Sequence, residues 1–364
     1  MIIGSVTELK PSEKRVGLLP LHAQKYIEHG HEVIVESGLG VASGFNDDDY
    51  RAVGAHVVSN AKEVWDKAEM IIKVKEPMPC EYDLMRENQI IYTYFHLAAD
   101  QPLCEALLKQ KVTALAYETI EDDNENLVLL KPMSEIAGKL AVLEGNKYLE
   151  QHYGGKGILL SGTSTVAPGR VLIVGAGSVG LAALKEAYNL GANVTALVHK
   201  KADVKPLQSF FPKVEVFVNS DEILVEQLKK ADVVVSSVLI RGSKTEQIIK
   251  REYLKLMEPG SVIVDVAIDQ GGSLETSRPT THLDPIYIID DVIHYCVANM
   301  AGSVPKTSSM ALGDATLAYR LKVANLGLLE AIKQPGIYKG VNTYQGKVTN
   351  EAVAKVHHLD FEAL

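Results

Sequence analysis

The chain has 364 residues, a length that favours two domains, each large enough to bury a hydrophobic core. Its 46% hydrophobic and 23% charged residues are typical of a globular enzyme and exclude a low-complexity or disordered protein. The formal net charge of −9 disfavours nucleic acid and anionic membranes as partners, because both would repel the chain. Small-molecule partners fit this composition better.

The cysteines and the first residues bear on the compartment. Cys80, Cys104 and Cys296 are widely separated and form no Cys-x-x-Cys pair, so we expect reduced thiols rather than disulfides or a zinc site. The opening "MIIGSVTELK" lacks a basic leader and a small-residue cleavage site. No apolar run approaches the ~20 residues of a membrane span. These features predict a cytoplasmic protein.

The first 130 residues alternate short apolar runs with helical patterns. The predicted strands lie in "MIIGSV", "HEVIVES", "AHVVS", "AEMIIKVK", "QIIYTYFH" and "VTALAYE". Strands at this spacing, separated by helices, predict parallel β/α units. A long helix is then predicted to open at Ser134, where serine and the following Glu135 resemble a helix start signal.

A second β/α series follows, and it is complete before the last predicted helix. Its predicted strands lie in "RVLIVGAG", "NVTALVH", "VEVFV", "ADVVVSSV" and "SVIVDVAI", and a last helix is predicted in "MALGDATLAYRLKVANLGLLEAIK". We therefore expect the tail to return to the first domain. The predicted fold class is α/β, with two doubly wound Rossmann-like domains. Residues 1–130 plus 305–364 would form the substrate domain, and the nucleotide-binding domain, residues 131–304, would be inserted into it.

The run "VLIVGAGSVG" carries a G-x-G-x-x-G spacing at Gly175, Gly177 and Gly180. In such a motif the first glycine permits a tight turn, the second lets the backbone approach a pyrophosphate, and the third allows close packing of helix on strand. An isolated motif of this kind is also compatible with an ordinary glycine turn. Its place between a strand and a helix, within a β/α series, predicts a dinucleotide site.

The next predicted strand ends without the acid that normally holds the adenosine ribose. Val198 takes that place and is followed by His199, Lys200 and Lys201. Loss of the carboxylate removes its repulsion of a 2′-phosphate, which the two lysines could bind. The alternative is that both lysines are solvated loop residues. The identity of the cofactor stays open at this point.

Four charged or titratable residues follow predicted strands: Arg15, Lys75, His96 and Asp269. Each has an ordinary explanation, as a surface ion pair, a strand-end lysine, a core imidazole or a turn cap. Ligands of open α/β sheets gather at the carboxyl ends of strands, so all four could reach one cleft. Together they offer two cations for a small carboxylate, an imidazole for proton transfer and an acid beside a nicotinamide.

At these motifs the sequence resembles the alanine dehydrogenase family, which also contains the NAD-binding subunit of proton-translocating transhydrogenase. The matching segments run along nearly the whole chain: "ELKPSEKRVGLLP", "KVKEP", "FHLAAD", "AYETI", "PMSEIAG", "VLIVGAGSVG", "VDVAIDQGGSLETSRPTTH" and "YCVANMAGSVPKTSS". The resemblance implies reversible oxidative deamination of L-alanine to pyruvate and ammonia, with hydride transfer to a nicotinamide cofactor. It implies NAD(H) slightly ahead of NADP(H).

The resemblance also implies roles for particular residues. Arg15 and Lys75 would bind the substrate carboxylate, and His96 and Asp269 would be the catalytic pair. The predicted cofactor contacts are Ser134, Gly175, Gly177, Ser178, Val179, Gly180, Val198, His199, Lys200, Ser220, Val238, Leu239, Ala267, Ile268, Val297, Ala298, Asn299 and Met300. Some relatives hold a metal through a glutamate and a late-helix histidine. Glu118 matches the glutamate, but "VANLGLLEA" has no histidine, so we predict no metal site.

Other interpretations remain open at the level of sequence. One is a related amino-acid dehydrogenase or imine reductase that uses NADP(H). Another is a non-catalytic nucleotide-binding relative of the transhydrogenase subunit, although such proteins are expected to lack the set of Lys75 and His96. The resemblance further implies a homo-oligomer, a hexamer or at least a dimer, and the helix around "KLAVLEGNKYLEQHYGG" has an amphipathic face that could pack on a second copy.

Overall fold

The computed structural model describes residues 1–238 and 247–364. These residues divide into two compact units. The first unit consists of Met1–Met133 and Val304–Leu364, and the second consists of Ser134–Ser303. The second unit therefore interrupts the first along the chain.

The first unit contains one eight-stranded sheet. Its strands are β1 Ile2–Ser5, β2 Glu32–Glu36, β3 His56–Val58, β4 Met70–Ile72, β5 Ile90–Thr93, β6 Thr113–Ala116, β14 Val341–Tyr344 and β15 Lys347–Val348. Strands β1 to β6 are mutually parallel, whereas β14 runs antiparallel to β6 and β15 antiparallel to β14. The helices of this unit are α1 Pro20–Glu28, α2 Asp47–Ala52, α3 Ala61–Lys67, α4 Gln101–Lys109, α10 Pro305–Leu326, α11 Leu328–Ala331, α12 Pro335–Gly340 and α13 Glu351–His357.

The second unit contains a seven-stranded sheet. Its strands are β7 Arg170–Val174, β8 Asn193–Val198, β9 Glu215–Val218, β10 Val233–Ser236, β11 Val262–Asp265, β12 Ile286–Ile289 and β13 Val292–Tyr295. All pair in parallel except β12, which is antiparallel to β13. The helices are α5 Lys131–Tyr148, α6 Ser178–Leu190, α7 Val204–Phe210, α8 Asp221–Leu228 and α9 Arg251–Leu254.

The parallel strands of both sheets follow the same order. In the first sheet it is β3-β2-β1-β4-β5-β6, and in the second it is β9-β8-β7-β10-β11-β13. Each therefore has the 3-2-1-4-5-6 order of a doubly wound sheet, with the order reversing between β1 and β4 and between β7 and β10. Ligands of such sheets bind at the carboxyl ends of the strands beside this reversal.

The central strands are apolar because both faces of each sheet are covered. In the first unit Ile3, Met70 and Ile72 belong to one core cluster, while Ile71 and Ile91 belong to another. In the second unit, one cluster contains Ile173, Val233 and Val235, and a separate cluster contains Leu172, Val174 and Val234. Alternate residues of one strand thus enter different cores, which explains the continuous apolar runs in the sequence.

The structure corrects two helix boundaries that the sequence suggested. Helix α5 begins at Lys131 rather than Ser134, because Pro132 is tolerated in the first turn, where the missing N–H costs no helical hydrogen bond. Helix α10 begins at Pro305 and ends at Leu326, before Gly327, and the last residues expected in it form the separate helix α11. Within the described ranges no helix has the length and apolar character needed to cross a membrane.

Candidate active site

Arg15 and Lys75 follow the two strands where the order of the first sheet reverses. Arg15 lies in the loop after β1, and Lys75 lies three residues after the end of β4. Strands β1 and β4 are parallel neighbours, with Ile3 opposite Met70. The two cationic residues therefore follow adjacent carboxyl ends of one sheet.

Arg15 is held in a buried ion pair with Glu13. Its side chain is 2% exposed, and Nε donates to Glu13 Oε1 at 2.7 Å while Nη2 donates to Glu13 Oε2 at 2.5 Å. Nη1 lies 3.1 Å from Met133 Sδ. Burial acts to lower the pKa of Arg15, but the Glu13 carboxylate outweighs it and raises that pKa. Glu13 thus fixes the plane of the guanidinium, a role that was not assigned from the sequence.

The carboxylate of Glu8 is a second charged group, and it contacts the backbone at Lys75. Glu8 accepts hydrogen bonds from the Val74 N–H at 2.5 Å and the Lys75 N–H at 3.4 Å, and its carboxylate lies 3.4 Å from the buried Lys73 Nζ. Lys73 also pairs with Glu81 at 3.1 Å. The Lys73 side chain is therefore buried and paired inside the unit, whereas Lys75 is half-buried.

His96 follows the next strand of the sheet, three residues after the end of β5. Its side chain is exposed, and its backbone is left-handed, with φ 52° and ψ 37°. A residue other than glycine in this region is strained, and such strain is often found at functional sites. The Tyr94 ring lies nearly parallel to the imidazole, at an interplanar angle of 10° and a centroid distance of 6.1 Å.

Tyr94 is anchored in the core, and the charges of Arg15 and Glu118 both act on its hydroxyl. Its Oη donates to the Leu129 carbonyl at 2.6 Å. Burial raises the pKa of Tyr94, the Arg15 charge opposes this rise, and the Glu118 charge adds to it. Only an aromatic residue near a strand end pointed to this arrangement at the level of sequence.

Glu118 contacts the backbone of the His96 segment. It lies in the turn Tyr117–Thr119 after β6, which is the parallel neighbour of β5. Its Oε1 accepts the His96 N–H at 2.6 Å and the Phe95 N–H at 3.1 Å, and Oε2 lies 3.3 Å from the Phe95 nitrogen. In the described part of the chain no group of three or more His, Cys, Asp or Glu residues is arranged to hold a metal. Absence of a metal site stays a prediction.

The glycine loop of the second unit connects β7 to α6. Gly175 has φ 94°, and a Cβ on Gly180 would lie 1.9 Å from the Gly175 carbonyl oxygen. A Cβ on Gly177 would meet nothing within 4 Å, so this glycine faces open space at the start of the helix. Helix N-termini present unpaired N–H groups, here those around Ser178 and Val179, which suit phosphate. The loop thus has a tight turn, a close helix contact and room beside the backbone.

Ser237, just past the end of β10, braces this loop. Its hydroxyl donates to the carbonyls of Val174 and Gly175, both at 3.1 Å. Val238 follows and is half-buried. Leu239, another predicted cofactor contact, lies outside the described residues. Ser237 was missed because a serine after a strand has no distinctive spacing.

The end of β8 separates its predicted contacts into buried and exposed residues. The Val198 side chain is buried in the core, and its carbonyl accepts the Asn219 N–H at 2.8 Å. His199 and Lys200 are exposed, as is the following lysine. Ser220 caps α8, with its hydroxyl accepting the Ile223 N–H at 3.3 Å. Only the residues after Val198 therefore present side chains to solvent here.

Asp269 lies in the turn Val266–Gln270 that follows β11, and it is exposed. Its Oδ1 accepts the N–H of Asn299 at 3.1 Å, and Asn299 has a left-handed φ of 58°. Asp265 fixes the start of the same turn by accepting the Ala267 N–H at 3.1 Å. Asp269 is thereby tied to the segment predicted to line the cofactor.

The other predicted cofactor contacts of the second unit differ in exposure. Ala267, Ile268, Val297 and Met300 are buried, whereas Ala298, Asn299 and Ser134 are half-buried. Ala298 donates its N–H to the Thr280 carbonyl at 3.3 Å. Ser134, where the sequence suggested a helix start, lies in the first turn of α5.

A Rossmann sheet with a glycine loop in one unit, together with strand-end cations and an imidazole in the other, defines a nicotinamide-dependent dehydrogenase. The family descriptions that match are "Alanine dehydrogenase/PNT, N-terminal domain" over residues 4–137 and "Alanine dehydrogenase/PNT, C-terminal domain" over residues 141–351. The chain belongs to this alanine dehydrogenase/PNT family.

Individual relatives agree with this assignment. The chain is 47% identical to an alanine dehydrogenase of Methanococcus maripaludis, over 99% of this chain and 98% of the relative. A solved L-alanine dehydrogenase superposes with a TM-score of 0.95 at 42% identity, covering 98% of this chain and 99% of the other. A transhydrogenase of Sinorhizobium meliloti shares the fold, with a TM-score of 0.84 at 23% identity over 96% of this chain and 100% of the other. The resemblance and the fold class inferred from the sequence are confirmed.

Proposed function

We propose that this protein catalyses the reversible oxidative deamination of L-alanine to pyruvate and ammonia, with hydride transfer to a nicotinamide cofactor. One observation carries the proposal within the structure. Arg15, Lys75 and His96 follow the carboxyl ends of β1, β4 and β5, three adjacent parallel strands of one sheet. Two cations and an imidazole suit a small substrate with a carboxylate and a group that gains or loses a proton. The similarity to alanine dehydrogenases supports alanine in particular.

Arg15 and Lys75 bind the substrate carboxylate in this proposal. The two hydrogen bonds that Arg15 donates to Glu13 hold the guanidinium plane before substrate arrives, so little side-chain entropy is lost on binding. Lys75 adds a point charge near the carboxylate and the carbonyl oxygen of pyruvate. Both substrate and product carry the carboxylate, so this contact serves both directions.

His96 moves the protons of the hydrolytic half of the reaction. A bound nicotinamide would supply the acceptor for the hydride that leaves Cα, and the neutral amine of the substrate would then become an iminium. His96 then takes a proton as water adds to that carbon and returns it to the nitrogen as ammonia leaves the carbinolamine, while the hydroxyl proton is released to solvent as the carbonyl of pyruvate forms. The exposed imidazole can exchange this proton with solvent. In the reverse direction the same steps run from pyruvate and ammonia.

Asp269 is the proposed acid of the second unit. Its carboxylate would stabilise the positive iminium and orient water or ammonia. The bond from the Asn299 N–H supports this role, because it holds one oxygen and leaves the carboxylate beside the predicted nicotinamide segment. Gly175, Gly177 and Gly180 would hold the pyrophosphate against the start of α6.

We propose NAD(H) as the main cofactor and NADP(H) as a second one that the site tolerates. NAD(H) is placed first because the family resemblance implies it. Residues 198–201 contain no acid to repel a 2′-phosphate, and His199, Lys200 and Lys201 are exposed there. A strand end of this composition favours a weak preference rather than strict selection.

Turnover of pyruvate plus ammonia with NADH and with NADPH tests the activity. We expect oxidation of NADH and a loss of about 10²- to 10⁴-fold in kcat for His96→Gln. The control Lys14→Gln, which removes the exposed lysine next to Arg15, should change kcat little. Absence of turnover with either cofactor contradicts the proposal and favours a nucleotide-binding relative without this activity. Turnover only with another 2-oxo acid favours a different amino-acid dehydrogenase.

The cofactor proposal has its own test. Changing Lys200 and Lys201 together to Glu is expected to raise KM for NADPH at least about tenfold with little effect on NADH, because only NADPH carries the 2′-phosphate. The matched control is Lys205→Glu on the following helix α7. Equal effects on both cofactors would assign the two lysines to solvated loop positions.

We propose a homo-oligomer and a cytoplasmic location as further parts of this function. Along α5, Leu143 is 46% exposed, and Ile136 and Leu140 are half-buried at helical spacing from it, which suits contact with a second copy. Light scattering of wild type and Leu143→Lys tests this, and a monomeric wild type contradicts it. The free cysteines support a reducing compartment, which cell fractionation can examine.

A further inference from the structure

We propose that Glu118 is a positioning residue for the reaction, because its carboxylate holds the backbone of residues 95 and 96 and thereby sets the orientation of the His96 imidazole. The inference rests on the proposed function of His96. It assigns Glu118 a role through hydrogen bonds to the chain rather than through a metal.

The need for such a residue arises from the backbone of His96. With φ 52° and ψ 37°, the His96 backbone lies in the left-handed region. Glycine is the common residue there, because it has no Cβ to clash. No glycine occurs in "YFHLAAD" to relieve this conformation. The surrounding contacts must therefore hold it.

Glu118 supplies those contacts. Two successive backbone N–H groups, from Phe95 and His96, point at one carboxylate, with the shortest nitrogen to oxygen distance at 2.6 Å. Hydrogen bonds to an ionised acceptor are shorter and stronger than neutral ones. Successive N–H groups that converge in this way form an anion-binding concavity, which here is filled by the chain itself.

The sheet fixes where Glu118 lies. Thr93 at the end of β5 is opposite Ala116 at the end of β6, so the two following loops leave the sheet side by side. Glu118 comes two residues after Ala116, and His96 comes three residues after Thr93. A carboxylate at this place reaches the backbone of the neighbouring loop rather than its side chain.

Tyr94 completes the support of the imidazole. Its hydroxyl is fixed by the Leu129 carbonyl, and its ring lies at 10° to the His96 ring. The backbone bonds of Glu118 set where the His96 side chain begins, and the Tyr94 ring lies alongside it. Removing the Glu118 charge frees the first of these constraints while leaving the second.

Kinetics of Glu118→Gln, Glu118→Asp and the matched control Glu121→Gln form the first test. Glu121 is a nearby acid that pairs with Lys339 on α12 instead of the His96 loop. We expect kcat for pyruvate plus ammonia to fall about 10- to 100-fold in Glu118→Gln, because small misplacement of a reacting group has effects of this size. The KM for the cofactor should stay unchanged, Glu118→Asp should recover part of kcat, and Glu121→Gln should match wild type. An unchanged kcat in Glu118→Gln overturns the proposal.

A double-mutant cycle separates positioning from a general structural effect. In a His96→Ala background, Glu118→Gln should change the residual kcat by less than about twofold, because its effect passes through the imidazole. Equal losses in the two backgrounds contradict the proposal.

Crystal structures of wild type and Glu118→Gln give a readout that needs no activity. We expect His96 to leave the left-handed region in the variant, or its ring to turn away from Tyr94, while Glu121→Gln keeps the wild-type geometry. An unmoved His96 in Glu118→Gln overturns the proposal even if the protein proves inactive on alanine. If Glu118→Gln does not fold, Glu118→Asp crystals decide in the same way, since the shorter side chain must lengthen or lose one of the two bonds.

Discussion

The two sheets share one strand order, yet the sites at their reversal points are made of different parts. In the first unit, charged side chains follow β1 and β4, where Arg15 pairs with the Glu13 carboxylate and Lys73 pairs with the Glu8 carboxylate. In the second unit, the loop after β7 consists of glycines whose backbone faces open space or packs closely on the chain. A small carboxylate needs discrete charges, whereas a pyrophosphate can be bound by backbone N–H groups. The same topology therefore supports side-chain recognition in one place and backbone recognition in the other.

The largest effect should come from breaking a charge pair of the first unit. Arg15→Met leaves the Glu13 carboxylate buried without its cation, so we expect a loss of about 3–5 kcal/mol in the free energy of unfolding and no measurable turnover. Urea unfolding and steady-state assays measure the two effects. Adding Glu13→Gln should restore much of the stability but none of the activity. A stable and active Arg15→Met would show that the pair is dispensable.

The next effect concerns close packing in the second unit. In Gly180→Ala the new Cβ would lie 1.9 Å from the Gly175 carbonyl oxygen, so strand and helix must separate. We expect a loss of about 3 kcal/mol in the free energy of unfolding, measured by urea denaturation. Wild-type stability in this variant would mean that the contact is looser than the glycine spacing implies.

Gly177→Ala should affect binding without affecting folding. Its Cβ meets nothing within 4 Å, so the unfolding free energy should stay within about 0.5 kcal/mol of wild type. The methyl group would occupy the space beside the helix start, and the Kd of NADH, followed by fluorescence titration, should rise at least about tenfold. Unchanged affinity would remove Gly177 from the predicted site.

The smallest effect is a dependence of stability on pH that involves one histidine in each unit. Burial lowers the pKa of His22 and of His294 below the ordinary value of 6.5, and in the case of His22 the Asp314 carboxylate opposes this shift. The unfolded chain then binds more protons than the folded one as pH falls below 6.5, so stability is fully present above that pH and declines below it.

Urea unfolding at several values between pH 5 and 8 measures this slope. His294→Asn should flatten the part of the slope that belongs to the second unit, where His294 Nε2 lies 2.9 Å from Thr276 Oγ1. A slope that rises toward acid pH contradicts the prediction.

Local patterns predicted most of the fold. Buried parallel strands such as β7 and β10 appear as continuous apolar runs, and the glycine spacing identified the loop before α6. The start of α5 was placed three residues too late because Ser134 with Glu135 resembles a capping signal. Pro132, which lies within the first turn, gave no indication that the helix had already begun. Such boundary errors arise where a local signal competes with tolerance of proline at a helix start.

The site was predictable only in part. Arg15, Lys75 and His96 stand out because charge follows an apolar strand. The pairing of Glu13 with Arg15 depends on the path of a loop, and the bonds of Glu118 to residues 95 and 96 join positions 22 or more residues apart. Neither leaves a period or a motif in the sequence, since both depend on which strands become neighbours.

The antiparallel strand β14 has a consequence for the order in which the protein is made. It pairs with β6 and comes from residues 341–344, which the ribosome adds after the whole second unit. A nascent chain that has reached residue 303 contains every strand of the second sheet, whereas β6 still has an unpaired edge. The second unit can therefore fold during synthesis. In the first unit the edge of β6, which is prone to aggregation, stays uncovered until the last segment is made.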